Sequence, residues 1–158
     1  MSSSIVVMGV AGSGKTTIGQ LLAQHIGIKF FDGDDFHSPG NVQKMSSGQP
    51  LTDEDRVDWL SSLADLIEGE GPIVLACSAL KKSYRKLLVD SENDLRFVFL
   101  DVTPKVASAR LKTRDSHFMP VSLVESQFLA LERPEDAIKI NAENSVDQIL
   151  DKLKQLLK

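Results

Sequence analysis

An apolar run, Ser4-Ile5-Val6-Val7-Met8, leads directly into Gly9-Val10-Ala11-Gly12-Ser13-Gly14-Lys15-Thr16, where glycine takes three of eight positions. The run has no polar alternation, so it reads as a strand covered on both faces, as in the interior of a parallel sheet. After the loop, Ile18, Leu21, Leu22 and Ile26 recur at helical spacing, and Gly27 is placed to stop that helix. Strand, glycine loop and helix in this order are the context that the Gly-x-x-x-x-Gly-Lys-Thr pattern needs in order to hold a phosphate. Glycines at 9, 12 and 14 let the backbone wrap closely, successive N–H groups point inward, and the helix N-terminus adds its positive dipole end. Lys15 is placed to reach the β- and γ-phosphates and the Thr16 hydroxyl to ligate Mg²⁺. The nucleotide contacts expected here are Gly9, Ala11, Gly12, Ser13, Gly14, Lys15, Thr16 and Thr17.

The rest of the chain continues the alternation. Strands are expected at 29–31, 73–77, 96–100 and 137–140. Helices are expected from Thr52 to about Gly69, over 80–89, from Thr103-Pro104 to about Lys112, after a Ser122/Glu125 capping box, and after a Ser145/Gln148 box. The stretch 32–52 is polar, with one helical piece near Val42 and Met45. Strands alternating with helices, with no repeat and no linker, predict an α/β domain: a five-stranded parallel sheet with helices on both faces. Ligands of such sheets bind at the carboxyl ends of the strands. Gly9, Asp32, Ser78 and Asp101 all fall there.

Composition sets limits on function. The 158 residues suffice for one domain, 1–158, with one core. A net charge of -4 and no obvious basic face argue against nucleic acid. No window approaches the ~20 apolar residues of a membrane helix, and the N-terminus shows no signal peptide. The single cysteine, Cys77, suits a reducing compartment and a buried apolar role. The expected setting is the cytosol.

A phosphate loop identifies a triphosphate, not a reaction. The Asn-Lys-x-Asp and Asp-x-x-Gly strings of GTPases do not occur. Small size and a late charged stretch favour a small-metabolite kinase. Asp32-Gly33-Asp34-Asp35-Phe36-His37 follows the second strand, facing the transferable phosphate. Asp34 is assigned to the attacking hydroxyl and Asp32 to the metal side. Lys44, Arg56, Lys81, Lys82 and Arg85 are candidate cations for an anionic acceptor. Arg110 and Arg114 share a helical face before the polar stretch containing His117, and a lid over about 112–121 would bring their charge to the phosphoryl group. Asn141-Ala142 is placed to border a base pocket. A nucleotide-binding regulator without catalysis is the reading from a different class; Asp34 and the two arginines weigh against it.

Taken together, residues 8–16, Asp32 to His37, Asn41 with Lys44-Met45, Gly48 to Arg56 with Trp59, Cys77 to Arg85, Arg110 to Phe118, and Ser126-Gln127-Phe128 with Leu131-Glu132 and Pro134 resemble the P-loop gluconate kinases. The resemblance implies a three-layer P-loop kinase fold with a lid, like those of shikimate and nucleoside monophosphate kinases. It implies ATP- and Mg²⁺-dependent phosphorylation of D-gluconate at its terminal hydroxyl. Lys15, Asp34, Arg110 and Arg114 would be catalytic. Asp34, His37, Lys44, Arg56, Lys81, His117 and Gln127 would contact the sugar acid. Arg110 would also contact the nucleotide, and Thr16 and Asp32 would serve the metal. Another small-metabolite kinase, acting on shikimate or a nucleotide, is the neighbouring alternative. The expected partner is the sugar acid, with neither nucleic acid nor membrane, and a homodimer is left open. Ser116 stands where the family often has glycine.

Overall fold

The structure is a computed structural model that describes residues 3–89, 95–113 and 124–157. Strand β1 (Ser4–Met8) is the middle strand of a five-stranded sheet in the order β2-β3-β1-β4-β5, and every pairing is parallel. The other strands are β2 (Lys29–Asp32), β3 (Ile73–Ala76), β4 (Leu95–Asp101) and β5 (Ile138–Asn141). Val6 stands opposite Leu75 of β3 and Phe97 of β4, so β1 is bonded on both edges. Its side chains divide by the two-residue period of a strand. Ile5 and Val7 enter one core with Leu22, Val98 and Leu100; Val6 and Met8 enter the other with Leu63, Ile67, Leu75 and Phe99. An apolar run without alternation is the sequence signature of this double covering.

The first core is closed by α1 (Lys15–Ile26), α5 (Pro104–Lys112) and α7 (Val146–Leu156), the second by α3 (Asp53–Glu70) and α4 (Lys82–Val89). Gly27 ends α1 in the left-handed conformation at φ 86°. At α3 the Thr52 side chain accepts from Asp55 N–H, while the Asp55 carboxylate accepts from Thr52 N–H, a reciprocal cap preceding 18 helical residues. Asp53, Glu54 and Asp55 also suit the positive end of the helix dipole. The same reciprocal cap, Ser145 with Gln148, starts α7. Helix α6 (Val124–Ala130) follows the expected Ser122/Glu125 position, although Ser122 lies outside the described residues.

Two segments are more ordered or shorter than their sequence suggests. Gly33–Phe36 forms a 3₁₀ turn, with the Asp32 side chain accepting from Asp34 N–H, and Pro39–Ser46 forms α2 behind a Ser38 cap. Helix α4 begins at Lys82, not Leu80, because Ala79 sits at φ 45° and turns the chain away from β3 first. Ala79 and Leu80 carbonyls are then bonded by the buried Arg85 guanidinium, which also donates to Glu132 O. Arg85 is thus committed to backbone carbonyls and is not an acceptor-binding cation.

The glycines of the phosphate loop have distinct roles. A Cβ on Gly12 would lie 2.5 Å from the Ala107 carbonyl oxygen on α5, and Gly12 has φ +85°. A Cβ on Gly9 would lie 2.9 Å from the Leu100 carbonyl oxygen. Gly14 has open space around it and φ +96°, so its requirement is purely conformational. Gly12→Ala is therefore expected to destabilise the protein by about 2 kcal/mol or more, because neither the left-handed backbone nor the α5 carbonyl can yield cheaply. Urea unfolding measures this; an unchanged midpoint would show that α5 moves freely away from the loop.

Candidate functional site

The ends of β1, β2 and β3 open on one cavity. Its lining includes Ala11, Gly12, Gly14, Lys15 and Thr16 of the phosphate loop, Asp34 and His37 after β2, Arg56 and Trp59 of α3, Ser78 after β3, and Gln127 of α6. Residues far apart in sequence are thus gathered at the carboxyl edge of the sheet, as the parallel topology requires.

On the nucleotide side, the Thr16 hydroxyl donates to Asp32 Oδ2 at 2.9 Å. Asp32 Oδ1 accepts Asp34 N–H at 2.9 Å, so one carboxylate links α1 to the turn that carries Asp34. The pair of a hydroxyl and a carboxylate beside the phosphate loop fits Mg²⁺. Among the described residues no cluster of three or more His, Cys, Asp or Glu side chains forms a metal cage. Lys15 Nζ donates to Val10 O at 3.1 Å, folded back on its own loop.

On the acceptor side, burial raises the Asp34 carboxyl above the usual aspartate value, and the nearby Lys15 charge partly offsets this. His37 stacks on Trp59, with ring centroids 4.1 Å apart, and Trp59 is itself anchored by its Nε1–H to Gly33 O at 2.7 Å. His37 Nε2 stands 3.8 Å from Asp34 Oδ1, and Nδ1 is buried with no hydrogen-bond partner among the described residues. Burial, and then the Arg56 charge, push the imidazole down to about 4. The ring is neutral at ordinary pH, with an unsatisfied polar atom next to the reacting end of the cavity. Arg56 Nη1 donates to Leu51 O at 2.7 Å and to the Tyr84 hydroxyl at 3.0 Å. It borders both this cavity and an adjoining one of about 320 Å³ that Lys81, Ser126 and Gln127 also line.

Not every expected residue enters the site. Lys44 Nζ bonds Asp55 Oδ2 at 2.6 Å, tying α2 to the α3 cap, and does not border either cavity. Lys44 holds the Asp55 carboxyl down to about 2. Lys82 lines a separate groove with Arg85 and Arg133. Arg110 does not point at the phosphate position: it donates to the Gly12 and Ser13 carbonyls at 3.3 Å each and to Ala142 O at 2.6 Å. It joins the phosphate loop to the segment after β5, where Asn141-Ala142 was expected to border a base. Thr17 lies beyond the cavity lining on α1. Arg114, His117 and most of the expected lid fall outside the described residues. Cys77 is buried and its thiol is pushed up to about 12, so it is chemically inert.

Three features escaped the sequence reading. Gln127 Oε1 accepts Ala11 N–H at 2.6 Å, across 116 residues of sequence. Tyr84 and Asp53 join Arg56 to Lys81. Part of the signal was available: Asp53 and Arg56 are three apart on α3, the spacing of one helical face.

Comparison with known proteins agrees with this geometry. A family model described as shikimate kinase matches residues 11–155. The chain is 45% identical over 157 residues to the gluconokinase of Gluconobacter oxydans (strain 621H), covering 94% of this chain and 88% of that protein. The crystal structure of a sugar kinase from Janibacter sp. HTCC2649, unliganded, superposes with a TM-score of 0.91 at 39% identity, covering 99% of this chain and 95% of that one. A gluconokinase from Sinorhizobium meliloti 1021 superposes with a TM-score of 0.87 at 40% identity, covering 98% and 93%. The chain belongs to the gluconokinase family, within the shikimate-kinase-like P-loop kinases.

The depressed His37 has a consequence for stability. The unfolded ring takes up a proton near 6.5 and the folded ring only near 4, so the unfolded state binds more protons between these values. The wild-type protein should therefore lose stability as pH falls from about 6.5 to 4, by about 3 kcal/mol from this group. Asp34, whose folded carboxyl is raised, works in the opposite sense at pH values above 3.8. His37→Gln should flatten the decline in urea midpoints measured between pH 7 and pH 4. Parallel declines in the two proteins would show that His37 is not the source.

Proposed function

We propose that the protein transfers the γ-phosphoryl group of ATP to the terminal hydroxyl of D-gluconate, giving 6-phospho-D-gluconate. The observation that carries this reading is the shared cavity: the phosphate loop, a buried carboxylate and a guanidinium border one space. The relatives named gluconokinase supply the acceptor's identity, and the acceptor-side groups have the matching chemistry. Gluconate presents one carboxylate and a row of hydroxyls, which call for a cation and several hydrogen-bonding groups.

In this reading the backbone amides of Gly12, Gly14, Lys15 and Thr16, with the Lys15 side chain, bind and orient the phosphates. Thr16 and Asp32 would hold Mg²⁺, which when bound offsets phosphate charge. Asp34 accepts the proton of the attacking hydroxyl. Burial raises its pKa, which makes it a stronger base than an exposed aspartate. Neutral His37 offers the acceptor a hydrogen-bonding nitrogen without adding charge beside Asp34. Arg56 and Lys81 receive the carboxylate at the far end. Arg110 acts through the loop it braces. Trp59 and the apolar walls around it keep the acceptor side of the cavity dry.

A coupled assay of ADP release tests the acceptor. Turnover should depend on D-gluconate, and shikimate, nucleoside monophosphates and neutral sugars should not substitute. Activity with one of those and none with gluconate would replace the acceptor. Asp34→Asn should lower kcat by roughly 10²- to 10⁴-fold while ATP binding is retained. The acid limb of the wild-type pH profile should lie above the 3.8 of an ordinary aspartate, because activity is lost as pH falls through a raised pKa. Unaltered turnover in Asp34→Asn would remove the proposed base.

A further inference from the structure

Arg56 and Lys81 come from different parts of the chain, yet one short path of polar groups joins them. Arg56 Nη1 donates to the Tyr84 hydroxyl at 3.0 Å, that hydroxyl donates to Asp53 Oδ1, and Lys81 Nζ donates to the same oxygen at 2.9 Å. The direction of the path is set by chemistry. A guanidinium can only donate and a carboxylate can only accept, so the phenol must accept from Arg56 and give its proton to Asp53. Tyr84 is 3% exposed, and its ring lies beneath both cations, 5.2 Å from Arg56 Cζ and 5.6 Å from Lys81 Nζ. The Asp53 and Lys81 side chains lie at the rim of the cavity, 66% and 30% exposed.

We propose that Tyr84 is a positioning residue for acceptor binding: its hydroxyl locks Arg56 to the Asp53–Lys81 pair, so that two cations stand at one cavity as a preformed receptor for the acceptor's carboxylate. This rests on the sugar-acid reading above. Two cations and one internal carboxylate leave a single positive charge, which matches one carboxylate on the acceptor. The arrangement discriminates by charge: an acid gains from both cations, while a neutral polyol of the same length gains little. Without the phenol oxygen, Arg56 keeps its bond to Leu51 O and its place over the ring, and loses its hydrogen-bonded link to the Asp53–Lys81 pair. Preformed geometry lowers the ordering cost of binding, so its loss should appear in acceptor affinity and not in the chemical step.

Tyr84→Phe keeps the ring and removes only the hydroxyl. The expected result is about a tenfold rise in KM for gluconate. Both kcat and KM for ATP should stay within about twofold of wild type, and calorimetric gluconate affinity should fall by the same factor as KM rises. The preference for gluconate over a neutral six-carbon polyol should fall by a similar factor. Asp53→Asn breaks the same path, so the double variant should be no worse for gluconate than the more severe single one. An unchanged gluconate KM in Tyr84→Phe, ATP and gluconate constants rising together, or additive effects in the double variant would overturn the proposal. If wild type binds gluconate and Tyr84→Phe binds it equally, this inference alone fails. If wild type binds no gluconate by calorimetry, the sugar-acid reading fails first and this one with it.

Discussion

The backbone of residues 9–14 is the constraint on which the rest of the site depends. A loop that turns several amides toward a phosphate has few of them left to hold itself in place. Its stability has to come from its carbonyls, its missing side chains and its neighbours. The structure supplies each. Gly9 and Gly12 let the loop press against the Leu100 and Ala107 carbonyls. Arg110 gathers the Gly12, Ser13 and Ala142 carbonyls. Gly9 N–H donates to Ser78 O, which ties the loop to the segment after β3. Ala11 N–H is taken by a side chain, Gln127, from a helix late in the chain. A loop braced this way meets its ligand with little reorganisation, which is the condition for electrostatic stabilisation of a phosphoryl group.

This bracing accounts for much of the fold. Central placement of β1 lets the loop touch the ends of both adjacent strands. The 3₁₀ turn after β2 brings Asp34 round to face Lys15, and Asp32 sets that turn by capping it while holding Thr16. Gly33 is needed where the turn passes β3, since a Cβ there would lie 2.7 Å from the Ala76 carbonyl oxygen. The Asp-Gly-Asp string after β2 thus has three separate physical tasks: cap and link, close approach, and a carboxylate left facing the cavity.

The parallel α/β sheet, its five strands and most helix caps were legible in the sequence, because they rest on local signals: unalternating apolar runs, helical periodicity, and Thr or Ser followed three residues later by an acid or amide. The phosphate loop and the Asp34 segment were legible for the same reason. What was not legible is how long side chains are shared out. Lys44, Arg56, Arg85 and Arg110 are equivalent as letters, and only the fold shows that Lys44 closes a cap, Arg85 collects carbonyls, Arg110 braces the loop and Arg56 borders the cavity. Contacts such as Gln127 with Ala11, or Trp59 Nε1 with Gly33 O, join residues 116 and 26 positions apart and leave no periodic trace. Recognising the family brought the right segments together but not this division of tasks.

The distribution of charge across the cavity follows from the same sharing. Asp34 sits near Lys15, and burial raises its carboxyl; were His37 protonated beside it, the ring would form an ion pair with that carboxylate and lower its pKa. Burial against Trp59 and the neighbouring Arg56 together keep the ring neutral. Arg56 therefore depresses His37 while bordering both cavities. The planar guanidinium holds the Leu51 carbonyl and the Tyr84 hydroxyl together while its charge acts on His37. Fixing Arg56 in place then matters for the base as well as for the acceptor, since its distance from His37 sets how firmly that ring stays neutral.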